Sequence, residues 1–402
     1  MRRSSVVLVV LALVLATAVT AGASVASTGS SGAVRGVTAT SVKVGGLGDA
    51  ALYAGAEIGA KARFQRANDA GGVNGRTINF VGLRDDGGDT KRDQDEGAKL
   101  VATDQVFAVV PTATPDLAAG TTFAKRQVPY FGWALSSNFC SAYGFGFTGC
   151  LISASGTSNV WGVLVKRLFG AQGSGKTAAV ITESTPSGAY LAKALTAAVK
   201  GGGFKVVYTG NTLPVPAGGD YSTLLKPALT SDAGKPASAI FTVGSISTIT
   251  LVKQTLHDSG YLGVFTDSIE YDPTTVSTAS GAVVMLQTAA VETKATNGVM
   301  QQLATDVEKV APGSAITSAV IAGYFSADMF LAALKKAGKK LTAASFRNAA
   351  NTLTYALANT VGPTKFPTAH TQPTPCGSLV QSDGIAFQVK VPYTCGKVVA
   401  VK

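Results

Sequence analysis

The feature that most constrains the fold is an alternation of short apolar segments with segments of helical spacing, which runs twice along the chain. In the first series, apolar stretches such as VKVGGLG (42–48) alternate with helix-like stretches such as IGAKARFQRANDAGG (58–72). The second series begins near residue 158, and KTAAVITES (176–184) is its first strand. Strands separated by single helices favour right-handed crossovers and a parallel sheet. The sequence therefore predicts an α/β chain with two similar lobes, each a parallel sheet flanked by helices.

The start of the chain has the pattern of a secretory signal peptide. Arg2 and Arg3 precede the apolar run 6–19, and small residues allow cleavage after Ala23 or after Ser27. The run is short for a membrane span, which needs about 20 residues. No cysteine follows it closely that lipid could modify. We therefore expect an exported, extracytoplasmic protein.

Four cysteines are predicted to form two disulfides, because an even number in an exported chain is typical of disulfide pairing. Three pairings are compatible with the sequence, and we favour the local pairs Cys140–Cys150 and Cys376–Cys395. Each closed loop would stabilise the fold by about 3 kcal/mol in the chain-entropy model. A zinc site built from all four cysteines is the alternative, although C-x-x-C spacing is absent.

The segment GAQGSGKT (170–177) has the spelling of a Walker A loop but the wrong context. Phosphate binding needs a strand before the glycines and a helix after them. Here a helix-like stretch (158–170) precedes the glycines and a strand (176–184) follows them. The carbonyl groups at a helix C-terminus repel phosphate. We therefore interpret the segment as a helix-to-strand loop and predict no nucleotide or other cofactor.

Catalytic and nucleic-acid-binding patterns are weak in this sequence. The two histidines, His257 and His370, have no metal-ligand spacing, and no G-x-S-x-G motif occurs. An acidic turn at Asp85, Asp86 and Asp89 suits helix capping, with a metal or acid–base role as the alternative. The net charge is +11, but basic residues are scattered without interleaved aromatics. We expect a binding protein without nucleic-acid partners, and an enzyme of unusual type stays open.

Ligands of open parallel sheets bind outside the carboxyl ends of the strands. Two facing lobes would place both sets of strand-end loops in one cleft. These loops are rich in hydroxyl and small residues with occasional aromatics, which suits a small organic molecule with a polar end. The loops are 46–55, 111–116, 132–138, 182–190, 244–248 and 267–273.

The segment NDAGGVNGRTINFVGLRDDGGDT (68–90) resembles a segment of the type I periplasmic-type solute-binding proteins of the branched-chain amino acid family, which includes leucine-binding proteins. The resemblance extends from about Val42 to the C-terminus. It implies two Rossmann-like lobes joined by three hinge crossovers that close on a small-molecule ligand. It further implies a monomer that delivers the ligand to the permease of an ABC transporter.

The resemblance also implies a division of the chain into segments. The crossovers are expected near Ser153, near Ala289 and in a Pro/Thr-rich stretch. The predicted segments are 1–27 (signal peptide), 28–41 (linker), 42–153 with 290–362 (lobe 1), 154–289 with 376–402 (lobe 2) and 363–375 (third crossover).

Ligand contacts are carried over by position, and they follow the strands. Glu270 lies close to the acid that takes the ammonium of an amino acid ligand, and Ser136 and Ser137 lie where relatives bind the carboxylate. Ser187 and Ser245 stand where relatives often have aromatic residues. Aromatic walls would then come from Trp133, Tyr190 and Tyr271, or the ligand is an aromatic acid, an amide or a hydrophobic carbon source instead of an amino acid. The remaining predicted contacts are Tyr53, Thr112, Ala113 and Thr114.

The function implied by the resemblance is capture of a small organic ligand, amino acid-like or an aromatic or hydrophobic acid, for an ABC importer, as in amino acid transport. An extracellular sensor that feeds a membrane receptor or kinase is the alternative with the same fold. A secreted enzyme is the alternative from a different class.

Non-reducing peptide mapping of the mature protein checks the cysteine prediction. We expect peptides joined through Cys140–Cys150 and through Cys376–Cys395, because each pair is close in sequence. Free thiols or a crossed pairing would contradict it.

Overall fold

The computed structural model describes residues 34–153 and 155–401. The predicted signal peptide (1–27) and residues 28–33 of the predicted linker lie outside the described residues. The helices are α1 (Ala56–Asp69), α2 (Thr90–Ala102), α3 (Gly120–Lys125), α4 (Val160–Leu168), α5 (Pro186–Gly201), α6 (Tyr221–Thr230), α7 (Ile246–Asp258), α8 (Gly298–Val310), α9 (Ser318–Ala337) and α10 (Ala343–Asn351). The strands are β1 (Ser41–Gly48), β2 (Thr77–Asp85), β3 (Ala108–Ala113), β4 (Tyr130–Gly132), β5 (Gly144–Gly146), β6 (Thr157–Ser158), β7 (Thr177–Glu183), β8 (Lys205–Leu213), β9 (Ala239–Val243), β10 (Val264–Asp267), β11 (Val283–Leu286), β12 (Thr354–Leu357), β13 (Val361–Lys365), β14 (Cys376–Ser382), β15 (Phe387–Cys395) and β16 (Val398–Val399).

Two sheets organise the chain. Sheet 1 has five parallel strands in the order β2-β1-β3-β4-β5, and sheet 2 has seven strands in the order β15-β14-β11-β10-β9-β7-β8. We call each sheet with the helices packed on it lobe 1 and lobe 2, respectively. The α/β fold with parallel sheets flanked by helices is the predicted fold class. The exact segment boundaries of the lobes stay a prediction.

Sheet 2 departs from a purely parallel sheet at one edge. Strands β7 to β11 run parallel, whereas β14 and β15 form an antiparallel hairpin that pairs with β11. A disulfide between Cys376 and Cys395 closes this hairpin, and a second joins Cys140 to Cys150. Both predicted pairings are therefore confirmed. Through this hairpin the C-terminal tail joins sheet 2.

The loop with the Walker spelling connects a helix to a strand, as its context predicts. Helix α4 ends at Leu168, a short 3₁₀ turn covers Gly170–Gly173, and β7 begins at Thr177. Gly170 and Gly175 have φ values of 53° and 73°, which glycine adopts without steric cost. These glycines therefore serve a turn in the backbone.

Three connections join the two lobes: the first runs from β5 to β7, the second from β11 to α8 and the third from β13 to β14. Cys150 donates its amide to the carbonyl oxygens of Ala369 (2.9 Å) and Gln372 (3.0 Å), so the first connection contacts the third. Strand β16 pairs with β6, so the C-terminal end returns to the first connection. In the second connection, the carbonyl oxygen of Thr288 accepts from the Ser378 hydroxyl at 2.6 Å.

Helix α9 is the central helix of lobe 1, and it crosses α1 at backbone contact distance. A Cβ on Gly59 would collide with the carbonyl of Val320, and one on Gly323 would collide with the carbonyl of Ala56. Among the described helices, α9 alone is long and apolar enough to span a membrane. However, 78% of that apolar stretch is buried in the structure, as in the core helix of a folded domain.

Replacing Gly323 with alanine is expected to destabilise the protein by about 1–3 kcal/mol, because the new methyl group forces the two backbones apart. Urea unfolding followed by circular dichroism measures the change. Gly298→Ala is the matched control, since its Cβ would meet nothing within 4 Å. Equal stabilities for the two variants would contradict this account of the contact.

Candidate ligand-binding site between the lobes

A small cavity lies where the two lobes meet. It has a volume of about 20 Å³, enough for one water molecule, so any organic ligand requires the surrounding loops to separate. Its lining is aromatic and apolar with a few hydroxyl and amide groups. The lining residues are Trp133, Phe147, Ser268, Met285, Leu286, Gln287, Thr288, Ser318 and Ile321.

Of the ligand contacts predicted from the sequence, Trp133 lines the cavity. Its ring makes an edge-to-face contact with Tyr53, with centroids 5.9 Å apart. Its indole N–H donates to the side-chain carbonyl of Gln287 in the second connection. Burial, with the carboxylates of Asp49 and Asp86, raises the pKa of Tyr53, so its hydroxyl stays a donor. The loops after β1 and β4 therefore form one aromatic wall.

The other predicted contacts of lobe 1 surround the ends of β3 and β4. Thr112, Ala113, Thr114 and Ser136 are buried, and Ser137 is exposed. The Thr112 hydroxyl donates to the carbonyl oxygen of Phe131 at 3.2 Å. Within the described residues, the backbone amides of Thr114, Ser136 and Ser137 have no hydrogen-bond acceptor.

The predicted contacts of lobe 2 lie near its strand ends, and several already bind other protein groups. Ser187 is exposed in the first turn of α5, and the Tyr190 hydroxyl donates to the carbonyl oxygen of Ser153. Ser245 caps α7 and donates both its amide and its hydroxyl to Glu183 Oε1, each at 2.8 Å. Glu183 thereby links the end of β7 to the start of α7.

Tyr271 is 1% exposed and lies in the core, so in this arrangement its ring does not form a cleft wall. Its hydroxyl donates to Glu292 at 2.7 Å and accepts from the amide of Val291 at 3.1 Å. Its ring packs on Phe387 at a centroid distance of 5.0 Å. Its carbonyl oxygen accepts from the amide of Ser318 at 3.2 Å, which joins lobe 2 to the start of α9.

Glu270 is buried and forms an ion pair with Lys253, whose ammonium is 2.9 Å from Oε1. Asp267 lies beneath the same loop, and its Oδ1 accepts from the amides of Ile269 (2.8 Å) and Glu270 (2.9 Å). Burial, reinforced by the charge of Glu270, raises the pKa of Asp267 to about 7. Three ionisable side chains with little solvent contact therefore meet at the end of β10, with Lys253 contributed by α7.

A second pair of buried carboxyl groups lies at the acidic turn of lobe 1. Asp93 Oδ1 accepts from the amide of Ala119, and Asp86 Oδ1 accepts from the amide of Gly88 at 2.8 Å. In the described part of the chain, neither Oδ2 atom has a donor. Burial raises the pKa of Asp93 to about 7, and Asp86 contributes to the shift. The predicted helix around residues 115–126 begins at Gly120, directly after the amide that Asp93 accepts.

No group of three or more His, Cys, Asp or Glu side chains in residues 34–153 and 155–401 is arranged to hold a metal ion.

The sequence analysis did not identify several residues that line the cavity. Gln287 and Thr288 lie within the second connection, where no strand-end pattern marks them. Ser318 and Ile321 belong to α9, whose approach to the cavity depends on its packing against α1.

Two sheets whose strand-end loops meet at an interlobe cavity define a two-lobed α/β binding protein. Residues 41–386 match the family model described as periplasmic binding protein. The chain therefore belongs to the periplasmic binding protein family, with the type I fold. A search of curated proteins finds no significant match.

Solved structures share this fold at low sequence identity. The leucine-, isoleucine-, valine-, threonine- and alanine-binding protein from Brucella ovis, in a closed conformation, superposes with a TM-score of 0.71 at 17% identity, covering 90% of this chain and 95% of that one. A fatty acid ABC transporter substrate-binding protein from Thermomonospora curvata has a TM-score of 0.68 at 18% identity, with coverages of 90% and 95%. An R. palustris solute-binding protein in complex with 4-hydroxybenzoate has a TM-score of 0.68 at 17% identity, with coverages of 88% and 97%.

Stability is expected to depend on pH through Asp93. Its pKa is higher in the folded protein than in the unfolded chain, so its contribution is fully present below about pH 4 and is lost as the pH rises through about 7. Asp93→Asn removes this loss and supplies an N–H for Asp86. We expect the variant to be more stable than the wild type at pH 8 by about 1–3 kcal/mol, the cost of an unsatisfied buried group.

Thermal unfolding between pH 5 and pH 8 measures this effect, and the difference should shrink toward pH 5. Asp95→Asn, on the same helix and in an exposed pair with Lys91, is the matched control. A stability difference that does not vary with pH would show that Asp93 does not titrate in this range.

Proposed function

We propose that the protein is an extracytoplasmic solute-binding protein, and that it captures a small organic ligand between its lobes for an ABC importer. The observation that carries this proposal is the cavity between two sets of strand-end loops. That cavity lies in a chain that matches the family along residues 41–386. The permease partner, the exported location and a monomeric state belong to the same proposal. No bond is made or broken in such a protein.

The composition of the cavity supports a ligand with an apolar body and a polar end. Trp133, Phe147 and Ile321 provide aromatic and aliphatic surface. The hydroxyl groups of Ser268, Thr288 and Ser318 and the side-chain amide of Gln287 provide hydrogen-bonding groups. Structural relatives are described with branched-chain amino acids, a fatty acid transporter and 4-hydroxybenzoate. We therefore propose an amino acid-like ligand or an aromatic or hydrophobic acid.

Ligand capture would work by a population shift between open and closed arrangements of the lobes. A ligand that contacts both lobes binds the closed arrangement more tightly, and the shift equals that difference in affinity. Two hydrogen bonds cross at the cavity, from Trp133 to Gln287 and from Ser318 to the Tyr271 carbonyl. When the lobes separate, these two hydrogen bonds must break. A bound ligand would supply contacts in their place.

Thermal unfolding against a panel of amino acids, aromatic acids and fatty acids tests the proposal. A ligand at about 100 times its Kd should stabilise the protein by about 2.7 kcal/mol. Hydrolysed or otherwise altered ligand after prolonged incubation would contradict a pure binding role. The absence of any stabilising ligand in all three classes would contradict the proposed ligand class.

Tryptophan fluorescence locates the binding event, because the chain has two tryptophans. Trp161 is buried in lobe 2 against Phe241, whereas Trp133 lines the cavity. In Trp161→Phe, the emission of Trp133 should change on ligand binding. In Trp133→Phe, the matched control, the emission of Trp161 should stay constant and the affinity should fall up to about tenfold, because phenylalanine lacks the indole N–H that donates to Gln287. A ligand response from Trp161 alone would place the site elsewhere.

A further inference from the structure

An ion pair in lobe 2 bears on which ligands the proposed site accepts. Lys253 lies on α7, and its ammonium contacts Glu270 at 2.9 Å. Their side chains are 17% and 6% exposed, respectively. A pair this well shielded from water keeps both partners engaged, because separating them leaves a buried charge without compensation. The Glu270 carboxylate is therefore held by α7.

The loop that carries Glu270 borders the cavity. Ser268 lines it, and the carbonyl of Tyr271 accepts from Ser318, which also lines it. In the sequence, Glu270 lies between Ser268 and Tyr271. The local negative charge at this border thus depends on whether Glu270 is neutralised.

Asp267 does not replace Glu270 as a partner for a ligand cation. It is 0% exposed, and its Oδ1 already accepts two backbone amides of the loop above it. Its buried position also favours the protonated acid, since its pKa is raised to about 7. Asp267 Oδ2 and Glu270 Oε2 are buried and have no hydrogen-bond donor among the described residues, so Lys253 balances the charge of Glu270 without saturating its hydrogen-bonding capacity.

Lobe 1 has the opposite character near the ends of β3 and β4. The amides of Thr114, Ser136 and Ser137 have no acceptor within the described residues. The 20-residue helix α9 begins at the cavity residue Ser318; the amides of Ser318 and Val320 are engaged by Tyr271 and Thr317, so its contribution is the helix dipole. A helix N-terminus favours negative charge. These groups suit a carboxylate, whereas in lobe 2 the charge of Glu270 is already balanced by Lys253.

We propose that Lys253 determines ligand specificity: by neutralising Glu270 it makes the site select organic acids that lack an α-ammonium group. This inference rests on the proposed function and narrows its ligand class. An amino acid would have to displace Lys253 or bury its ammonium beside an ion pair that carries no net charge. A buried unpaired charge is an effective element of discrimination.

Matched ligand pairs that differ only in the α-ammonium group test the inference. The pairs are 4-methylpentanoate with leucine and 3-phenylpropanoate with phenylalanine, titrated calorimetrically at pH 7. We expect the wild type to bind the acid of at least one pair about tenfold or more tightly than the amino acid. Lys253→Met should lower that ratio about tenfold or reverse it, because Glu270 is then free to bind an ammonium.

Companion variants separate charge from structure. Glu270→Gln leaves Lys253 unpaired and should raise the preference for the acid. The double variant Lys253→Met with Glu270→Gln carries no charge in the pair and should keep a ratio close to that of the wild type. Lys226→Met, an exposed lysine on α6, is the control and should leave the ratio unchanged. If Lys253→Met does not fold, the Glu270→Gln and double variants still measure the effect.

The outcomes distinguish the two proposals. A wild type that prefers the amino acid overturns the inference and leaves the proposed function intact. Ratios that do not respond to either Lys253→Met or Glu270→Gln also overturn it. If no compound of the wider panel binds, the proposed function fails and the inference fails with it.

Discussion

The arrangement of the cavity depends on one close contact, the crossing of α1 and α9 through Gly59 and Gly323. Absence of side chains at these positions lets the two helix backbones touch, and van der Waals attraction between closely packed groups is strong in sum. The crossing fixes where α9 begins. From there Ser318 donates to the Tyr271 carbonyl and Ile321 lines the cavity. The interface of the two lobes is therefore set by packing deep within lobe 1.

The two lobes treat buried charge differently. In lobe 1, Asp86 and Asp93 face each other without a basic partner, so burial favours a protonated carboxyl. In lobe 2, Lys253 balances Glu270 above the buried Asp267. In both lobes the carboxylates accept backbone amides of strand-end loops and so hold those loops in place. These buried charged side chains thus have a structural role.

Much of the fold could be predicted because its signals are local. The βα alternation, the helix-to-strand context of residues 170–177 and the pairing of nearby cysteines each depend on a short stretch of sequence. The antiparallel hairpin at the edge of sheet 2 was only partly predictable. Its turn is local, but its pairing with β11 joins residues far apart in the chain.

The candidate site, like the fold, was predictable where its signals are local and not where they depend on long-range packing. The sequence by itself determined that polar and aromatic residues follow the strands, because the strand ends are visible as pattern breaks, and it marked Tyr53 and Trp133 as neighbours of a cleft. Only the tertiary structure decided that Tyr271 packs in the core and that Gln287 and Ser318 reach the cavity. It also decided that Lys253 forms an ion pair with Glu270. These contacts join residues that are 17 or more positions apart. Their formation depends on how whole helices and sheets pack, which no local pattern records.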